Sequence, residues 1–360
     1  MKAILALEDG TIYEGQSVGA LGTVYGEVVF NTAMCGYQEQ LTDPNYEVQL
    51  VTFTYPLLGN YGVNSEDFAS DRTHAKGIII KELCNDPANF RMEGLLGDYL
   101  KEHGIVAIAD VDTRALTRLI REKGTMCACI TTEESFDFAQ HADAIKSAKP
   151  VRPVMLVTSD EVKTLAPTAE ANGLTVAVIN YGVKQNMLDC FTGLGCNVVV
   201  FPATATMDEV KAVAPNAIFL SNGPGDPKDY PDLLGLVKDI LKAKIPTLAV
   251  GLGHQLVALA SGFDTAPLKY GHRGVNHPVK DIQAEVVFAT TQNCGYTVCA
   301  DSIDKKVAAI THVNMHDGMV EGLSYKKVPV ISTQFHPDTG VGPCPLAKIY
   351  KKFVDSLLAK

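Results

Sequence analysis

Apolar and polar positions along the chain fall into two rhythms, with a change near the middle. Up to about residue 130, short strand-like apolar runs at 3–7, 27–31, 48–52 and 77–80 alternate with turns. Two helical patterns interrupt them. Residues 90–102 place Met92, Leu95, Leu96, Tyr99 and Leu100 at helical spacing, and residues 113–123 do the same with Leu116, Leu119 and Ile120. Asp112 and Thr113 supply an N-cap for the second helix, and Gly124 a stop. This half predicts a compact α/β or α+β domain. Between 134 and 173 the apolar spacing becomes irregular, which reads as a connecting region with a helical piece near 138–148.

The second half changes character. Residues 175–180, 197–201, 217–221 and 247–250 are nearly continuous apolar runs, separated by helical segments at 184–191, 207–213 and 232–242. Strands of that kind are buried on both faces, so the alternation predicts a doubly wound, mostly parallel sheet. The expected division is 1–150 for the first domain, 151–172 for a linker and 173–360 for the second domain. Ligands of such sheets bind at the carboxyl ends of the strands, where the stretches from Ser221 and Gly251 onward fall.

Three stretches at those ends carry candidate chemistry. I-P-T-L-A-V-G-L-G-H-Q, residues 245–255, has the strand, turn and helix of a nucleophile elbow, with Gly251 at the tip. Glycine tolerates the backbone angles of the turn and supplies no attacking atom. S-N-G-P-G-D-P, residues 221–227, predicts an open loop whose backbone N–H groups can bind an anion or a developing oxyanion. V-I-S-T-Q-F-H-P-D, residues 330–338, delivers His336 and, two residues on, the carboxylate of Asp338, the base half of a nucleophile-His-acid triad. Taken singly, each has a plainer reading: a glycine in a βα loop, a turn, a polar loop histidine. Their order and combination give them weight.

Composition narrows the classes. The chain has 360 residues, 46% of them hydrophobic and 20% charged, which suits a soluble protein of two or three domains. A net charge of −10 with no basic run argues against nucleic acid as a partner. No apolar stretch reaches membrane-spanning length, and the run 1–7 is too short for a signal peptide, so the expected location is cytoplasmic. The nine cysteines (Cys35, Cys84, Cys127, Cys129, Cys190, Cys196, Cys294, Cys299 and Cys344) have no C-x-x-C pair and no zinc spacing, and are expected as reduced, partly buried thiols.

The combination of the G-P-G-D-P loop, the elbow with G-H-Q and the Q-F-H-P-D stretch resembles the class I glutamine amidotransferases, whose elbow reads G-x-C-x-G-H-Q and whose base motif reads H-P-E. The first half carries G-E-V-V-F-N-T (26–32), G-Y-Q-E (36–39), L-T-D-P (41–44), T-Y-P-L-L-G-N (54–60) and D-V-D-T-R (110–114), and G-H-R-G-V-N-H-P-V-K stands at 271–280. Spread over nearly the whole chain, these motifs look like the small-subunit family of carbamoyl phosphate synthetase. The resemblance implies an N-terminal small-subunit domain followed by an amidotransferase domain that hydrolyses glutamine. Ammonia then passes to a large subunit that makes carbamoyl phosphate from bicarbonate and ATP, for pyrimidine or arginine biosynthesis. It implies no cofactor in this chain, with ATP and Mg on the large subunit, and L-glutamine as a ligand.

Mapped by resemblance, Gly251 stands in the place of the nucleophilic cysteine, His336 in that of the base and Asp338 in that of the orienting glutamate. The oxyanion donors fall on the backbone N–H groups of Gly223 and Leu252. Glutamine contacts fall at Gly225, Gln255, Asn293, Gly295 and Tyr296, with Asn45 in place of a serine. The departures cluster on one function: Gly251 removes the thiol, Ala249 replaces the first elbow glycine, Asp338 is one methylene short, and Asn45 and Cys294 replace serine and histidine. Normal glutaminase turnover is therefore not expected, since loss of a triad nucleophile lowers kcat by about 10⁶. Three readings stay open at this point: a non-hydrolysing subunit of the synthetase, a glutaminase working through another nucleophile such as Cys294, and a glutamine-binding sensor or scaffold that has left the complex.

Overall fold

The computed structural model describes residues 1–338 and 348–359. It divides into two compact units, Met1–Val151 with Lys269–Arg273, and Arg152–Leu268 with Gly274–Lys360.

The first unit is built on a closed barrel whose strands run in the order Lys2–Leu7, Ile12–Ser17, Val106–Ala109, Gly77–Ile79, Gln49–Phe53, Thr23–Asn31 and Met126–Thr131. Closure comes from Lys2–Leu7, which pairs antiparallel with Ile12–Ser17 on one side and with Met126–Thr131 on the other. Alternation along the strands feeds two cores. Val29, Val51, Ile78 and Ala107 pack with Tyr37, Leu41, Leu96 and Leu100, while Val28, Leu50, Ile79 and Ile108 pack with Leu116 and Ile120. The helix Thr113–Lys123 forms as its caps predict, with the Asp112 side chain accepting from Ala115 N–H and Gly124 at the C-cap.

One helical expectation is corrected. Only Leu96–Glu102 is helical in the stretch read as 90–102, and Phe90 is 95% exposed. The residues before it are held in turns and an isolated bridge instead: Met92 N–H donates to Asn89, and Glu93 and Gly94 N–H both donate to the Val63 carbonyl. Those bonds take the backbone groups a helix would need.

The second unit is organised by a 10-stranded sheet among the described residues. Asn197–Pro202, Thr175–Asn180, Ala217–Leu220, Thr247–Val250 and Val330–Thr333 are neighbours in parallel register. Lys163–Leu165 pairs antiparallel at one edge, and Val320–Tyr325, Ala308–Asn314, Thr265–Asp281 and Val286–Val298 extend the other. Both faces of the parallel part are covered. Ile179, Phe201, Leu220 and Ala249 pack with Val237, Ile240, Leu256 and Val257, while Val178, Val200, Phe219 and Val250 pack with Met187, Phe191, Tyr350 and Phe353. Burial of each Val, Leu, Ile or Phe side chain among them stabilises by about 1.5–3 kcal/mol, which explains why these strands read as unbroken apolar runs.

The stretch 151–172 contains the short helix Val154–Val157 and the edge strand Lys163–Leu165. Among the described residues the cysteines form no disulfide; Cys127, Cys129 and Cys196 are buried and Cys35 is exposed. Burial pushes the Cys127 thiol up to about 12 and the Cys129 thiol up to about 11. Cys344 lies outside the described residues. No helix among the described residues is long and apolar enough to cross a membrane.

Candidate active site

Parallel register gathers the candidate stretches of the second unit at one edge of the sheet. Leu220 pairs with Ala249, and Val250 pairs with Thr333, so the loop after Leu220, the turn after Val250 and the segment after Thr333 all leave the carboxyl ends of adjacent strands. Gly251 N–H donates to the Thr333 carbonyl at 2.9 Å, and His336 N–H donates to the Thr291 carbonyl at 2.9 Å, which fixes His336 beside Val286–Val298.

The turn at Gly251 has the geometry its sequence frame demands. Its φ of 56° and ψ of −113° lie where side-chain-bearing residues are strained, and it is the N-cap of the helix Leu252–Ala260. A Cβ built on Gly251 stands 3.6 Å from His336 Nε2, 3.2 Å from Asn222 Cβ and 3.3 Å from Asn222 Cα. The imidazole thus faces the place where an elbow nucleophile begins. Sharp packing surrounds the turn: a Cβ on Gly253 meets the Leu220 carbonyl oxygen at 2.3 Å, so only glycine fits there. Ala249, in the strand before, is fully buried.

Leu252 occupies the first helical position, where the N–H has no intrahelical acceptor. Gly223, in the loop that flanks the elbow, has its Cβ position 2.3 Å from the Tyr181 carbonyl oxygen, and Gly225 adopts φ 94° with its Cβ position 2.7 Å from the Tyr230 hydroxyl. Neither position admits a side chain without movement of backbone or a buried ring. These glycines therefore keep the backbone of the loop close to its neighbours.

Gln255 is buried and its side-chain amide donates to the Tyr296 carbonyl and to Gln334 Oε1, both at 2.9 Å. Gln255 and Tyr296 are therefore brought together, and Asn293, Cys294 and Gly295 precede Tyr296 on the same strand, Val286–Val298. Asn45 belongs to the first unit, in the 3-10 turn Pro44–Tyr46, where it is buried and its N–H is capped by Asp43 Oδ1 at 2.9 Å.

Asp338 has a partner that the sequence reading missed. Its Oδ2 accepts from Lys184 Nζ at 2.7 Å, with side-chain exposures of 1% and 7%. Its Oδ1 is buried and makes no hydrogen bond among the described residues. Burial pushes the Asp338 carboxyl up, but Lys184 and His336 together outweigh burial and hold it below its ordinary value. Lys184 is the N-cap of the helix Gln185–Thr192, directly after the strand Thr175–Asn180 and its turn. Its signal in the sequence was its place at the carboxyl edge, where a lysine otherwise reads as a solvated cap.

His254, in the elbow helix, is fully buried and bonded through Nδ1 to Ser332 Oγ at 2.7 Å; burial pushes it down to about 3, so it is neutral. Among the described residues no three His, Cys, Asp or Glu side chains are gathered to hold a metal ion. The arrangement presents the His336 imidazole facing the Gly251 turn, a loop held close by its glycines and the buried Gln255 amide, and Gly251 itself carries no side-chain nucleophile.

Comparison with known proteins matches both halves. Residues 5–130 match the family model described as carbamoyl-phosphate synthase small chain, CPSase domain, and residues 177–356 match that described as glutamine amidotransferase class-I. The carbamoyl phosphate synthase small chain of Caldanaerobacter subterraneus subsp. tengcongensis is 43% identical over 362 residues, covering 99% of this chain and 97% of that one. That of Bacillus cereus is 43% identical over 358 residues, covering 98% and 95%. That of Listeria monocytogenes is 42% identical over 361 residues, covering 100% and 98%. With an N-terminal small-chain domain and a C-terminal class I amidotransferase domain, this chain belongs to the carbamoyl-phosphate synthase small chain family.

Proposed function

We propose that this chain assembles with a carbamoyl phosphate synthase large subunit and binds L-glutamine without hydrolysing it at a useful rate, the large subunit drawing on free ammonia. The observation that carries the reading is Gly251 at the elbow tip, 3.6 Å at its Cβ position from the base His336. Glutamine amide hydrolysis by this family's route needs a thiolate that attacks the carboxamide carbon and forms a thioester. Gly251 stands where the resemblance places that cysteine, and it offers no sulfur.

Binding is a separate matter from the covalent step. Gly223 and Leu252 are the proposed oxyanion donors, and Gly225, Gln255, Asn293, Gly295, Tyr296 and Asn45 the proposed glutamine contacts. His336 and Asp338 keep the base and carboxylate positions, with Lys184 added as the counter-ion of Asp338. The N-terminal domain supports the reading of a subunit over that of a detached sensor, because the small-chain model matches it from residue 5 to residue 130. Glutamate release from glutamine by the chain with a large partner tests the proposal. No release above the uncatalysed background is expected, and a robust rate at low free ammonia overturns it.

A further inference from the structure

In the second unit, a buried side-chain bond joins two strands, Val286–Val298 and Val320–Tyr325, that are not neighbours in the sheet. Ala308–Asn314 and Thr265–Asp281 lie between them in its order. Gln292 Nε2 donates to Glu321 Oε1 at 2.9 Å, and Asn314 Nδ2 donates to the same oxygen at 2.9 Å. Glu321 is 0% exposed, and Gln292 and Asn314 are 1% exposed each. A carboxyl group taken out of water is costly without such bonds, so a displacement that breaks them is strongly disfavoured.

Both partners of this bond are one step from the segment that carries His336. Thr291, the neighbour of Gln292, accepts from His336 N–H at 2.9 Å in an isolated antiparallel bridge. The Glu321 carbonyl accepts from Gln334 N–H at 2.9 Å. Residues 334–336 are thus tied at one end to Glu321 and at the other to the residue beside Gln292. Successive side chains of a strand point to opposite faces, so a one-residue slip of Val286–Val298 would turn Gln292 away from Glu321 and offer His336 a different carbonyl. The Gln292–Glu321 bond opposes that slip between strands that the sheet does not pair. His336 Nε2 stands 3.6 Å from the Cβ position of Gly251, so the same register sets how the imidazole meets the turn.

We propose that Glu321 is a positioning residue for His336: through Gln292 its carboxyl group sets where the Thr291 carbonyl meets the His336 N–H, and so where the imidazole stands at the elbow. The role rests on the reading of His336 as a base facing position 251. The full chain carrying Gly251→Cys tests both, with iodoacetamide labelling of the introduced thiol followed against pH by peptide mass spectrometry. The imidazole is expected to bring the labelling midpoint at least about one pH unit below the ordinary thiol value of about 8.5, and His336→Asn to return it. Adding Glu321→Ala is expected to raise the midpoint toward the ordinary value, whereas Glu321→Gln, which still offers Gln292 an oxygen, is expected to keep it low. Gln292→Met removes the same bond at similar volume and is expected to act as Glu321→Ala does, so it decides the outcome where Glu321→Ala does not fold. The Asp338–Lys184 pair, whose carboxylate interacts with His336, is the same in every variant. If His336→Asn raises the midpoint while Glu321→Ala and Gln292→Met leave it low, the positioning role is overturned and the reading of the base stands. If the Gly251→Cys chain labels with an ordinary midpoint with or without His336, the reading of the base falls and the positioning role with it.

Discussion

The elbow at Gly251 and the turn at Val48 both carry a positive φ and meet it with different residues. Both have positive φ, 56° at Gly251 and 65° at Val48. At the elbow the residue is glycine, so the turn survives without side-chain strain and without a reactive group. At Val48 the strain is kept, and charged and hydroxyl side chains around Glu47 hold it. The glycine at the elbow is the feature on which the proposed loss of the covalent step rests.

The largest effect expected is on rate. Gly251→Cys places a thiol on a Cβ 3.6 Å from His336 Nε2, and glutamate release by the variant with its large partner is expected to rise by at least about 10³-fold over the parent. A variant that folds and releases none shows that Asn45, Ala249 or Asp338 has also closed the reaction, and Asp338→Glu added to it then identifies the carboxylate. Next in size is the buried ion pair. Lys184→Met leaves the Asp338 carboxylate uncompensated in the interior, and chemical denaturation is expected to show a loss of about 3–5 kcal/mol. Removing both charges, as Lys184→Met with Asp338→Asn, is expected to recover much of that loss.

A pH effect follows from the elbow helix. His254 is held neutral down to about 3 when folded, but takes a proton near 6.5 when unfolded. Between those values the unfolded state binds more protons, so stability falls as the pH is lowered from about 6.5 toward 3. Thermal unfolding across that range is expected to show the slope, and His254→Gln to flatten it while Asp338 contributes its own loss only below about 4, its carboxyl being held low in the folded state. The smallest effects contrast the two turns directly. Gly251→Ala is expected to destabilise by about 1–3 kcal/mol, its Cβ also standing 3.2 Å from Asn222 Cβ. Val48→Gly, which releases strain, is expected to shift stability by less than about 1 kcal/mol in either direction. Equal losses at the two positions would remove the contrast.

How far the sequence reveals these features depends on whether they are local. The strands Thr175–Asn180, Asn197–Pro202, Ala217–Leu220 and Thr247–Val250 are legible because burial on both faces leaves unbroken apolar runs. The barrel is not, because its closure depends on Lys2–Leu7 meeting Met126–Thr131 more than a hundred residues away. Met92 and Leu95 mimic a helical stripe, yet the bonds from Glu93 and Gly94 to Val63 hold this stretch in a turn. In the site, glycines and the histidine announce themselves by frame and order. Lys184 does not, since only the folded sheet edge shows that its charge is buried against Asp338.

The central claim is that this small chain supports synthesis without making its own ammonia. Carbamoyl phosphate formation by the assembled complex, measured with ammonium and with glutamine as alternative nitrogen donors, tests it most directly. The account predicts turnover with ammonium and none above background with glutamine when free ammonia is kept low; comparable turnover with both donors would contradict it.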